Sequence, residues 1–196
     1  MELITLCDAS VDIARGLGTR VTVVGFSMGA NMAGWVAQNR ADVDKAVIIA
    51  PFWGWKGLPT FLFKPFIELL FILPNKFVWW DKEGKTALTG PTSSYYGFST
   101  RGVAQIMELG WSVMKQAGRV APKARAIAVI TSALDGAVNE KTIDGIIKEW
   151  RRHSGVKITR FQFPKEMGAF HDMIDPEQPY QKTAVVYPRL IELIEN

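Results

Sequence analysis

Ser27 lies between two glycines in "VVGFSMGA", where an apolar, β-branched run gives way to small helix-forming residues. A neutral hydroxyl is a weak nucleophile until a base within hydrogen-bond reach takes its proton and a carboxylate holds that base in the right tautomer. The chain has two histidines. His171, in "FPKEMGAFHDM", follows an apolar run. His153, in "EWRRHSG", closes a charged segment, where a histidine is expected to face solvent near a helix C-terminus. Three acids compete to orient His171: Asp135 in "ITSALDGAV", and Asp172 and Asp175 close to the histidine itself. Side chains adjacent in sequence seldom face each other, which counts against Asp172.

These residues need elements to bring them together, and the hydrophobic pattern supplies a set. Apolar spacing predicts helices over 2–15, 30–40, 101–117, 140–153 and 182–194, and strands over 19–26, 45–52, 124–132 and 157–163. The strand segments "KAVIIAPF" and "ARAIAVITS" are apolar almost throughout, as expected of strands covered on both faces. Strands alternating with helices imply crossover connections and a parallel sheet with flanking helices, an α/β fold. In such sheets the working residues sit at the C-terminal ends of the strands. Ser27, Asp135 and His171 each follow a different strand in that position.

The order Ser, Asp, His, with the serine in "GFSMG", fits the G-x-S-x-G elbow. Here Gly25 and Gly29 are both expected to allow a sharp strand-to-helix turn without Cβ clashes, so that the serine projects above the sheet. On these residues the chain resembles the α/β-hydrolase superfamily, and within it the serine esterases and lipases. The resemblance selects Asp135, whose "LDGAV" matches the family's acid turn, and implies the backbone N–H of Met28 as one oxyanion-hole donor. It covers nearly the whole chain but only the C-terminal part of the family's fold. A single helix precedes the elbow strand, without the usual earlier strands or the loop that supplies a second oxyanion donor. The strand "RVTVVGF", 20–26, is therefore expected to form a sheet edge, and an apolar, unguarded edge favours homo-oligomers.

Composition bounds the rest. The 196 residues, 48% hydrophobic, suit one domain, 1–196. A formal charge of +4, dispersed along the chain, gives no nucleic-acid-binding block. With Cys7 as the only cysteine and no signal-peptide pattern in "MELITLCDAS", the expected setting is cytoplasmic.

The apolar stretch 57–74 is broken by Lys64, Pro65 and Glu68, so it reads as one or two buried or interfacial helices, with membrane contact the lesser reading. It belongs to an aromatic insertion, 55–98, holding Trp55, Phe61, Phe63, Phe66, Phe71, Phe77, Trp79, Trp80, Tyr95 and Tyr96, where the family places a lid. The resemblance implies hydrolysis of small-molecule esters through an acyl-enzyme on Ser27, without metal or cofactor, while the apolar insertion on so short a chain leads us to expect short to medium acyl chains. The alternative is a weakly active or non-catalytic assembly module derived from the same fold.

Overall fold

The computed structural model describes residues 2–79, 97–153, 155–178 and 180–196. Its main sheet joins four parallel strands, β1 (Thr22–Phe26), β2 (Lys45–Ile49), β5 (Ala126–Ser132) and β6 (Lys157–Phe163), in the order β1-β2-β5-β6. Register aligns their C-terminal ends: Phe26 lies opposite Ile49, Ile49 opposite Ile130, and Ser132 opposite Phe163. One more backbone bond carries the alignment into each loop. Ser27 N–H donates to the Ile49 carbonyl at 2.9 Å, Ala50 N–H to Ile130 at 2.8 Å, and Ala133 N–H to Phe163 at 2.9 Å. Three loops therefore leave the sheet at one level, the condition for side chains on different strands to meet.

The central strands β2 and β5 are buried almost throughout, in keeping with their apolar sequences. The outer strands are only partly covered. Among the described residues the far side of β1 has no ladder partner, and Val24 of this strand is 48% exposed.

Helix α1 (Glu2–Leu17) packs on α2 (Met28–Asn39), and Arg40 at the end of α2 reaches Asp8 and Asp12 of α1 at 3.1 and 2.5 Å. Beneath them Gln38 is fully buried with its amide satisfied. Its oxygen accepts from Trp150 Nε1 of α5 (Glu140–His153) at 2.6 Å, and its nitrogen donates to the carbonyls of Val120 and Ala121. The chain closes with α6 (Thr183–Glu195), whose Val186, Leu190 and Leu193 join the main core.

The insertion forms α3 (Thr60–Ile72) and a short antiparallel pair, β3 (Phe77–Trp79) with β4 (Gly97–Ser99), leading into α4 (Thr100–Ala117). The stretch 57–74 thus holds one helix containing Lys64, Pro65 and Glu68. Its Phe63 and Ile67 pack on Val103 and Met107 of α4, while Phe61 and Ile72 point outward. The β3–β4 pair is not anticipated by the sequence pattern, and Trp80, Tyr95 and Tyr96 lie outside the described residues. Among the described residues no helix is long and apolar enough to cross a membrane.

Element boundaries differ from the expected ones for local reasons. Strand β2 stops at Ile49 because Ala50 takes a left-handed φ of 49°. Helix α2 starts two residues early, at Met28, because the turn is completed at Ser27 alone.

Candidate active site

Ser27 has φ 51° and ψ −113°, one of two positive-φ non-glycine residues among those described. Such a conformation costs about 1–3 kcal/mol and persists only where the surroundings impose it. Serine is a favoured N-cap, yet at the head of α2 its side chain makes no capping bond. The hydroxyl instead meets His171, with Oγ and Nε2 2.9 Å apart.

The two elbow glycines play different parts. A Cβ on Gly25 would lie 2.3 Å from the Gly29 carbonyl oxygen and 2.8 Å from Ala33 Cβ, so only glycine lets the strand pass under the helix. A Cβ on Gly29 would meet nothing within 4 Å. The expectation that both glycines relieve Cβ clashes is therefore corrected. Gly25 does so directly, and at Gly29 the close approach is to its backbone.

His171 is reached from β6 through a built turn. Pro164 opens a 3₁₀ turn at Lys165–Met167, and Gly168 ends it with φ 65° and its N–H on the Lys165 carbonyl. The imidazole then lies between serine and acid, with Nδ1 2.7 Å from Asp135 Oδ2. Asp135 has its side chain wholly enclosed. Its other oxygen accepts from the N–H groups of Ala137 and Val138 at 2.8 and 3.3 Å. Burial favours the neutral acid, but the hydrogen bond and charge of His171, with those two amides, outweigh it and hold the Asp135 pKa below the ordinary value. Burial likewise lowers the His171 pKa. The bond and charge of Asp135, aided by the charge of Asp172, overcome this and leave it above that of a free imidazole.

The other candidates bond outside this path. Asp175 accepts from the Glu177 N–H at 2.9 Å and serves its own turn. His153 stays at the end of α5, 3.9 Å from Glu149, and is partly buried rather than facing solvent. Met28 begins α2, where a helix leaves its first amides without intrahelical partners, so its N–H is available to an anion.

Sequence reasoning missed two supporting residues, Phe26 and Lys56, and named Trp55 only as part of the aromatic insertion. The Phe26 ring packs 5.4 Å from the His171 ring at 39°. Lys56 Nζ donates to the Asp135 carbonyl at 3.1 Å, and Trp55 bridges to Val138, which ties the insertion to the acid turn. Only Phe26 carried a sequence signal, being the variable residue before the elbow serine.

Ser27 and His171 open into a cavity of about 670 Å³. Met28, Phe52, Trp55, Phe98 and Val103 make an apolar wall, and Asp172, Asp175 and Gln178 line the side beyond His171. That size falls within the range of small-molecule sites.

Neither a scan of protein-family models nor a search of curated proteins gives a match. Solved structures do resemble the chain. A Paleococcus ferrophilus monoacylglycerol lipase superposes with a TM-score of 0.69 at 16% identity, covering 98% of this chain and 75% of that one. A soluble variant of the Saccharomyces cerevisiae monoglyceride lipase gives 0.68 at 15%, with 99% and 67% coverage. An α/β hydrolase from a Penicillium species gives 0.60 at 10%, with 98% and 71% coverage. The fold is that of the α/β hydrolases.

Proposed function

We propose that this protein is a serine hydrolase that cleaves carboxylic esters of short to medium acyl chains through an acyl-enzyme on Ser27. The observation that carries the reading is the continuous path from Ser27 Oγ through His171 to the enclosed Asp135, at 2.9 and 2.7 Å, opening on an apolar cavity. His171 Nε2 takes the serine proton as Oγ bonds to the ester carbonyl carbon. The Met28 N–H receives the developing oxyanion. The same proton passes from His171 to the alcohol oxygen as the C–O bond breaks, leaving an acyl-serine. A water molecule, deprotonated by His171, then repeats the sequence and releases the acid. Every proton is accounted for by this chain's side chains and water, so the reading invokes no metal or cofactor.

The cavity supports the substrate class. Its apolar wall suits an acyl chain, with the described part of the insertion, 55–79 and 97–98, acting as a lid within a single domain, and two of the similar solved structures are named as lipases of monoacylglycerols. The lone, buried Cys7 supports a reducing, cytoplasmic setting. In the same reading, the open edge of β1 is a self-pairing surface, with homo-oligomers joined through 20–26.

Turnover of a p-nitrophenyl ester series tests the function. Hydrolysis should be lost in Ser27→Ala and His171→Ala and kept in His153→Ala. Equal rates in wild type and Ser27→Ala would reject it.

A further inference from the structure

Asp135 and His171 stand on separate loops, 36 residues apart in sequence, yet must hold a 2.7 Å contact. The strands beneath them end together, but strand register cannot by itself fix a loop that runs seven residues, 164–170, between β6 and His171. Something must tie the two loops above the sheet.

Ser132 occupies that place. It is the last residue of β5, paired with Phe163, the last residue of β6, and it is 1% exposed. Its hydroxyl donates to the carbonyl of Ala169, two residues before His171. The same oxygen accepts the N–H of Leu134, the residue before Asp135, at 3.2 Å. Its own carbonyl accepts the Asp135 N–H at 3.1 Å. One buried side chain thus spends its donor on the base loop and its acceptor on the acid turn. Ala169 is itself 1% exposed, so without the hydroxyl its carbonyl has no water to turn to.

We infer that Ser132 is a positioning residue, a clasp that sets the spacing of Asp135 and His171 by bonding both of their loops through one hydroxyl. It touches neither the serine nor the substrate cavity. The inference rests on the proposed triad, but it predicts a property of His171 that is measurable without turnover.

The chain has only two histidines, so NMR titration of their ring protons, assigned with His153→Ala, reads His171 directly. The charged groups acting on that ring are Asp135 and Asp172. In Ser132→Ala the His171 midpoint should fall towards that of a free imidazole as the Asp135 contact loosens, and Ser132→Thr, which keeps the hydroxyl, should restore it. Labelling by a fluorophosphonate should slow about 10- to 100-fold in Ser132→Ala, as expected when a reacting group is misplaced by a fraction of an ångström to an ångström. In Ser132→Thr it should stay within a few-fold of wild type. Should the threonine prove too large for the buried site, Ser132→Cys provides a second, weaker donor of intermediate effect. A Ser132→Ala protein with an unmoved His171 midpoint overturns the clasp, whether its labelling rate is unchanged or falls only with the folded fraction. Failure of the hydrolase reading looks different: the wild-type chain would take no label, while its His171 midpoint would still respond to Ser132→Ala.

Discussion

His171 Nδ1 and Asp135 Oδ2 are 2.7 Å apart, and the aspartate side chain is sealed from solvent while the imidazole keeps an exposed edge. The charge of the pair is therefore held on the acid, and the base is tuned by it.

A pH dependence follows. His171 acts as a base only when neutral, so ester turnover should fall as pH drops through a His171 pKa above the ordinary value of about 6.5. In Asp135→Asn the raising influence is gone, and the acid limb of the rate profile should move to lower pH. Turnover should fall by roughly 10⁴-fold, the scale of losing the orienting carboxylate. Stability carries matching signs. The raised His171 pKa contributes stability that is present below about 6.5 and lost as pH rises through the folded value. The lowered Asp135 pKa contributes stability present above about 3.9 and lost as pH falls through its folded value. Rate profiles and thermal melts across pH, for wild type and Asp135→Asn, check both.

Gly25 and Gly29 should respond oppositely to alanine. Gly25→Ala drives a Cβ to 2.3 Å from a backbone oxygen, an overpacking that should destabilise by about 1–3 kcal/mol and lower Tm by several degrees. Gly29→Ala meets open space at the head of a helix and should leave Tm unchanged or raised. Thermal melts that rank the two the other way would refute this account of the elbow.

Acyl-chain preference should follow the apolar wall formed by Met28, Phe52, Trp55, Phe98 and Val103. Each added CH₂ contributes about 0.8 kcal/mol when buried, close to fourfold in kcat/KM. A p-nitrophenyl series should climb at about that rate from acetate and level off at medium length, once the cavity is full. A climb that continues through palmitate would instead assign a long-chain lipase, with the exposed Phe61 and Ile72 of α3 as its contact with lipid.

The open side of β1 should pair with a second copy. Backbone groups there lack ladder partners among the described residues, and antiparallel pairing of two 22–26 strands satisfies them and covers Val24. Light scattering at micromolar concentration should show a dimer or larger species, which Val24→Lys should dissociate. A monomer at those concentrations would contradict it.

How much of this was legible in the sequence varies with the range of the forces involved. The main strands were readable because "VIIA" and "AIAVIT" are apolar on both faces, and a pattern of that kind has few alternatives. Ser27, Asp135 and His171 were readable as strand-end residues, and the structure brings those three together while leaving His153 and Asp175 apart. The unequal roles of Gly25 and Gly29 were not, because they depend on the approach of strand to helix in three dimensions. Lys56 and Ser132 were invisible for a similar reason. Each bonds a backbone carbonyl far away in sequence, and a carbonyl carries no side-chain signature. The β3–β4 pair was missed because three-residue strands have too short a period to register.

The central claim is that Ser27 is a nucleophile activated by His171. Treat the protein with a fluorophosphonate at neutral pH and measure the intact mass and the labelled peptide. The account predicts one adduct per chain, on the peptide containing Ser27, absent in Ser27→Ala and slowed by orders of magnitude in His171→Ala. A chain that takes no label, or an adduct that persists unchanged in Ser27→Ala, would contradict it.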